Sequence, residues 1–117
     1  MTLPLSPAIL EAAYNYLLAT PPFKSWKLPA ADEIRFRVAS DKGCRGWHTH
    51  GSGEHDIAIS CAVIGRTAPL METMAHEMIH VYQAHKGTAT KKAEHNAEFH
   101  RLAKAVCRRH GFDQKLF

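Results

Sequence analysis

Residues 67–86, TAPLMETMAHEMIHVYQAHK, decide how the rest of the chain can be arranged. Apolar side chains recur there every three or four positions, which is typical of a helix with one buried side. Thr67 suits the N-cap, Pro69 suits the first turn, and Gly87 follows as a residue that ends helices. The buried side is predicted to consist of Met71, Met74, Ala75, Met78, Ile79 and Tyr82. We therefore predict a single helix from Thr67 to Lys86.

The middle of this helix carries the pattern His-Glu-x-x-His, at His76, Glu77 and His80. Four residues turn through about 400° on a helix, so both imidazoles lie on one side and can bind the same ion. Glu77 is then positioned to take a proton from a metal-bound water. The pattern predicts a catalytic metal site with Glu77 as general base.

A catalytic zinc site usually has three protein ligands, so a third must come from elsewhere in the chain. His95 is one candidate, because extending the last predicted helix back one turn from Phe99 reaches it. Glu98 is the other, since it lies on a similar face and a glutamate is the third ligand in thermolysin-like enzymes. Helix packing alone leaves both residues open.

The rest of the sequence predicts a small α+β domain. The pattern of apolar and turn residues gives an N-terminal helix over 6–19, strands over 34–38, 47–50 and 56–63, and a last helix ending at Gly111. We expect the strands to form an antiparallel sheet of two or three strands. With 117 residues, residues 1–117 are expected to form one domain.

Composition sets further limits. Apolar residues make up 45% and charged residues 22% of the chain, as in ordinary globular domains. No apolar run reaches the ~20 residues that a membrane span needs, and the first residues do not resemble a secretory signal. We expect a cytoplasmic protein without membrane contact. Three widely separated cysteines, Cys44, Cys61 and Cys107, are expected to be buried thiols.

Two clusters allow alternative interpretations. His48, His50 and His55 suggest a second metal site, although glycine-rich turns often carry solvated histidines. Basic residues near the C-terminus suggest DNA contact, although a solvated helix face explains them more simply. They are Lys91, Lys92, Arg101, Lys104, Arg108 and Arg109.

The motif and its surroundings resemble the SprT-like family of zinc metalloproteases, the SprT and Spartan catalytic core. The resemblance rests on HEMIHVY at 76–82, on HNAEFH at 95–100 after a polar loop, and on the strand IAIS at 57–60. It covers residues 34 to 111. Asn96 stands where the family usually has glycine, which can change where the last helix starts.

This resemblance implies a zincin-like metalloprotease core that binds Zn²⁺ through His76, His80 and His95. Glu77 would be the catalytic carboxylate, and the substrate would be a protein or peptide. The alternative function is a non-catalytic, zinc-stabilised module that binds DNA or protein.

Two further expectations concern the substrate. An extended peptide is expected to pair with an exposed strand, for which residues 57–61 are the choice. The oxyanion is expected to be stabilised by one of Tyr82, His85, His100 and Arg66, which the sequence does not rank.

Overall fold

The computed structural model of the chain describes residues 2–91 and 93–117. The helices in these residues are α1 (Pro7–Leu18), α2 (Thr67–Lys86) and α3 (Ala97–His110). The strands are β1 (Ile34–Ala39), β2 (Gly46–Gly51) and β3 (Glu54–Ser60). The predicted α+β class is confirmed, and each predicted helix and strand is found close to its expected position.

The three strands form a mixed sheet in the order β1-β3-β2. β2 and β3 are antiparallel, but β1 and β3 are parallel, so the predicted all-antiparallel sheet is wrong for that pair. The chain reverses direction between β1 and β2 and again at Ser52 and Gly53, whose positive φ values of 53° and 78° suit a tight hairpin, so β1 and β3 run in the same direction. This hairpin places β2 on one edge of β3 and leaves the other edge to β1. β3 therefore has a strand on each side, and the expectation that residues 57–61 form a free edge is also wrong.

The hydrophobic core lies between the helices and one face of the sheet. Ile57 and Ile59 of β3 are fully buried, as are Met74 and Met78 of α2. The opposite face of the sheet is polar: Arg37 forms an ion pair with Asp56 at 3.5 Å and lies over the ring of Trp47. The sheet therefore directs alternate side chains toward α2 and toward the opposite, more polar face.

Helix α2 has the predicted bounds. Arg66 occupies the N-cap position instead of Thr67 and makes no side-chain cap hydrogen bond. At the other end Gly87 adopts the left-handed conformation expected of a C-terminal glycine, with φ 75°. Within the described part of the chain, no helix is both long and apolar enough to span a membrane.

The prediction of buried thiols holds for Cys107 and is wrong for Cys44 and Cys61, which are exposed. β3 was predicted to continue past Cys61, but it ends at Ser60. The Ser60 hydroxyl donates to the backbone oxygen of Asp41 and accepts from the backbone N–H of Ala62, which stabilises a turn. Cys61 consequently lies outside the sheet.

Candidate metal centre

Helix α2 and the turn before α3 bring three histidines together. His76 and His80 are one helical turn apart, with ring centroids separated by 5.1 Å. The His95 ring lies 4.8 Å from that of His76 and 5.2 Å from that of His80. One ring nitrogen from each histidine can be chosen so that all three lie within 4.8 Å of one another.

The donor set and its spacing fit a metal ion. Nitrogen ligands about 2.0–2.1 Å from a tetrahedral zinc ion are roughly 3.3 Å apart, and the Nε2 atoms of His76 and His95 are 3.2 Å apart. His80 Nε2 is buried and has no hydrogen-bond partner among the described residues. Buried polar atoms without a partner are rare, and a metal ion would satisfy this one.

The His76 ring is oriented by the end of the described chain. Its Nδ1 lies 2.8 Å from the backbone oxygen of Phe117, so Nδ1–H donates there and Nε2 keeps its lone pair. Hydrogen bonds of this kind fix the tautomer of histidine ligands. The Leu116 oxygen accepts from Arg45 Nη1 at 2.7 Å, which helps to hold this segment in place.

The Phe99 ring packs against all three imidazoles. Its ring centroid lies 4.9 Å from His76, 4.8 Å from His80 and 4.4 Å from His95. The sequence predicts Phe99 to be buried because of helical spacing, but that spacing does not reveal these contacts.

His95 precedes α3, which begins two residues later at Ala97. Asn96 is the N-cap: its Oδ1 accepts from the backbone N–H of Phe99 and from Gln83 Nε2, both at 2.9 Å. Asn96 Nδ2 donates to the Thr88 oxygen at 3.2 Å. The asparagine at the usual glycine position thus starts the helix and fixes the loop that carries His95.

Glu98, the alternative third ligand, has other partners. Its Oε1 accepts from Gln83 Nε2 at 2.9 Å, and its Oε2 lies 3.7 Å from Arg101. These contacts lower the pKa of the Glu98 carboxyl, the hydrogen bonds from Thr88 and Gln83 being the main cause. The carboxylate is therefore held by polar partners on the side of Gln83, and the group of three imidazoles does not include it.

Glu77 lies beside the histidines and is 4% exposed. Burial, with a smaller contribution from Glu94, raises its pKa to about 8. It lines a pocket of about 150 Å³ together with Arg45 and Thr73. The Thr73 hydroxyl is buried there and lacks a hydrogen-bond partner among the described residues. Sequence reasoning missed Glu94 and Thr73, since neither belongs to a motif.

The imidazoles of His76 and His80 are in the form that binds metals. Burial and the neighbouring imidazoles lower the pKa of each to about 4, so both rings are neutral at pH 7. Neutral imidazole has a free ring nitrogen for a metal ion. A buried carboxyl group beside three converging imidazoles is an arrangement that can bind a cation and move a proton.

A search with models of known families gives a match described as the SprT-like family over residues 21–115. The chain belongs to the SprT-like family. The match contains the three strands, α2 and α3, so the resemblance drawn from the motif is confirmed. A search of curated proteins returned no match.

The sequence of this SprT-like chain offers four candidate residues for stabilising the oxyanion: Tyr82, His85, His100 and Arg66. Tyr82 is two residues past His80, hence on another side of α2, and its ring packs against Trp26 at 4.8 Å. The His85 ring lies 6.5 Å from that of His55, and Arg66 precedes α2 by one residue. The His100 ring lies 6.4 Å from that of His95 and is exposed. Of the four, His100 is the one whose ring lies beside a histidine of the metal group.

The interpretation of His48, His50 and His55 as solvated histidines is wrong for two of them. His55 is 5% exposed and His48 is half-buried. His48 Nε2 lies 2.9 Å from His55 Nδ1. Burial, followed by nearby imidazoles, lowers the pKa of His48 to about 3. These histidines belong to the side of the SprT-like domain that faces α2.

The basic residues of the last helix of this SprT-like chain lie on its exposed side. Arg101, Lys104, Arg108 and Arg109 are all exposed, as is Lys91 in the preceding loop. Lys92, the remaining residue of this predicted basic group, lies outside the described residues.

Proposed function

We propose that this chain is a zinc-dependent endopeptidase that acts on protein or peptide substrates. The observation that carries the proposal is the group of three imidazoles beside the buried carboxyl group of Glu77. His76, His80 and His95 would hold the zinc ion. The orphaned Nε2 of His80 supports that assignment, because it needs a partner that no described residue supplies.

Bound zinc would supply positive charge that acidifies water, polarises the scissile carbonyl group and favours the ionised form of a neighbouring carboxyl. Glu77 then acts as general base on the attacking water and delivers the proton to the leaving amine. Its burial suits this role, since a general base works best with a pKa near the working pH. The pocket beside Glu77 and Thr73 accommodates a small side chain of the substrate.

Strand β2 is the edge that binds the substrate. In the antiparallel pair the backbone oxygen of Arg45 accepts from Ser60 N–H at 2.8 Å. The backbone N–H and C=O groups of Arg45, and of every second residue after it, therefore point toward β3. The backbone groups of Gly46, His48 and His50 therefore point to the free edge. The His48 ring lies 6.5 Å from the His80 ring, which puts this edge next to the imidazole group. An extended peptide that adds to β2 would run past Glu77.

The test compares Glu77→Gln with Glu72→Gln, which makes the same change five residues earlier on the same helix. Purified proteins are assayed for bound zinc and for cleavage of an unfolded protein such as casein. Wild type and Glu72→Gln are expected to bind about one strongly held zinc per chain and to cleave at similar rates. Glu77→Gln is expected to keep the zinc and lose cleavage by at least a factor of about 10².

A third variant, His95→Gln, separates metal binding from proton transfer. It is expected to lose the strongly held zinc and, with it, cleavage. Equal cleavage by wild type and Glu77→Gln would refute the role of Glu77. A zinc-loaded wild type that cleaves no substrate would refute the peptidase function itself.

A second candidate function is nucleic-acid binding by α3, which presents Arg101, Lys104 and Arg108 to solvent. Basic groups on one helix face bind phosphates in a salt-dependent way. Fluorescence anisotropy with single- and double-stranded DNA tests this function. The affinity for DNA should fall as the salt concentration rises. At a fixed salt concentration, Lys104→Glu should reduce the affinity more than Lys24→Glu, which makes the same charge change at an exposed residue outside α3. Equal affinities of the two variants would exclude α3 as the DNA-binding surface.

A further inference from the structure

Three histidines on β2 and β3 share one face of the sheet. His50 lies directly opposite His55 in the antiparallel register, and His48 is two residues from His50 along the same strand. Side chains two residues apart on a strand point to the same face, as do those directly opposite each other. All three rings therefore lie on the side of the sheet that packs against α2.

Two of these rings already have nitrogens at ligand spacing. His48 Nε2 and His55 Nδ1 are 2.9 Å apart, close to the roughly 3.3 Å between two nitrogen ligands of a tetrahedral ion. The His50 ring is stacked on that of His55, with centroids 4.4 Å apart. His50 is exposed, and a change of its side-chain rotamer toward the other two is the rearrangement that the site requires.

We infer that His48, His50 and His55 form a second transition-metal site, separate from the group of His76, His80 and His95. His48 Nε2 and His55 Nδ1 supply two ligands, and a ring nitrogen of His50 supplies the third after rotation. The rings of His48 and His55 then carry their proton on the other nitrogen, so the hydrogen bond between them is replaced by two bonds to the ion. Imidazole ligands select Zn²⁺, Cu²⁺, Ni²⁺ and Co²⁺ over Mg²⁺ and Ca²⁺.

The surroundings leave space for an ion. His48 and His50, though not His55, line an open pocket of about 390 Å³, which His80 and Glu94 also line. The carboxylate of Glu94 adds negative charge on that side. The His48 ring is parallel to the His80 ring at 6.5 Å, so the two metal sites would be neighbours. The inference does not depend on the proposed peptidase function, since it concerns different ligands and a binding measurement.

The experiment is a titration of the metal-free 117-residue chain with Zn²⁺ by calorimetry and with Co²⁺ by absorption. Wild type is expected to bind two equivalents. His50→Gln is expected to bind one equivalent tightly, and the dissociation constant of the second equivalent should be at least tenfold larger than in wild type. His95→Gln is also expected to bind one equivalent. The equivalent that it retains should be the one that His50→Gln loses. His110→Gln, the same change at a histidine that contacts Phe23 and Thr20 and lies outside both groups, should bind two.

His50 is chosen because its exposed side chain lies outside the core, and circular dichroism of each variant verifies the fold. The double variant His50→Gln/His95→Gln should bind neither equivalent. The inference is overturned if wild type binds one equivalent and His50→Gln binds the same one. It is equally overturned if His50→Gln still binds two equivalents with wild-type affinities.

Discussion

Replacing Gly46 with alanine tests how closely β2 must approach the rest of the fold. A Cβ atom at this position would lie 2.7 Å from the backbone oxygen of Ala58 and 2.9 Å from Ile59 Cδ1. It would also lie 3.2 Å from Thr73 Cγ2, on the helix that carries the histidines. The first contact is with backbone in the centre of the sheet, which cannot move aside as a flexible side chain can. Gly46→Ala must therefore displace β2 from β3 and α2.

The expected cost follows from these contacts. Overpacking of a core by one carbon costs about 1–3 kcal/mol. Alanine reduces the entropy of the unfolded chain and recovers about 0.4–1 kcal/mol of this. A net loss of roughly 1.3 kcal/mol is expected for the free energy of unfolding. With an unfolding entropy of about 2.1 cal/mol/K per residue, this corresponds to a fall in Tm of about 5 °C for a chain of this length.

Gly51→Ala is the matched control, because it makes the same change in the same strand where no atom lies within 4 Å of the added carbon. Its Tm should be equal to or slightly above that of wild type. Both variants are measured by thermal unfolding and urea titration of the metal-free protein. If Gly46→Ala is as stable as Gly51→Ala, the close approach of β2 to β3 and α2 described here is wrong.

Three other perturbations test separate contacts. Removal of residues 113–117 takes away the backbone oxygen of Phe117 that orients His76. Zinc affinity, measured by competition with a chelator, should therefore fall by about 10–100-fold. Unchanged affinity would mean that the His76 ring needs no such partner. Phe99→Leu should weaken zinc binding while costing about 1 kcal/mol of stability, because leucine fills much of the volume but does not contact all three rings; zinc affinity equal to wild type would show that the aromatic ring is dispensable. Tyr14 donates a buried hydrogen bond to the Pro29 oxygen, and burial raises the pKa of Tyr14 above its usual 10. The Tyr14 hydroxyl therefore loses its proton at a lower pH in the unfolded chain than in the folded one. The free energy of unfolding of wild type, measured by urea titration, should fall by up to about 1.4 kcal/mol per pH unit above pH 10, and the fall should be shallower for Tyr14→Phe. Parallel slopes of the two proteins would argue against the raised pKa.

Local patterns predicted the helices well because each signal acts within a few residues. The bounds of α2 follow from the periodicity of residues 67–86 and from the glycine after them. The end of α3 at His110 follows from Gly111, which adopts φ 74°. These features depend on the backbone preferences of single residues, so no tertiary contact is needed to infer them.

The sheet was predicted less well, since strand order and direction depend on contacts between distant residues. A period of two indicates that β1 and β3 are strands but does not say whether they are parallel. The alternation in residues 56–63 also did not reveal that β3 stops at Ser60, where a side-chain hydrogen bond to Asp41 turns the chain. Burial of Cys61 was misjudged for the same reason.

Candidate site residues divide in a similar way. The spacing of His76 and His80 is local and could be read directly. The choice between His95 and Glu98 required the contact of Glu98 with Gln83, which joins two helices and leaves no pattern in the sequence. The family resemblance favoured His95, and the geometry of the three imidazoles agrees with it.

The cap at Asn96 has a consequence for how tightly an ion is held. Its side chain connects the loop at Thr88 and the start of α3 to Gln83 of α2. The neighbouring His95 is therefore positioned when the domain folds, and little additional ordering is left for the moment when a cation arrives. A chain with glycine at 96 would lack these bonds and would have to immobilise that loop during binding, so for equal ligands its affinity should be lower.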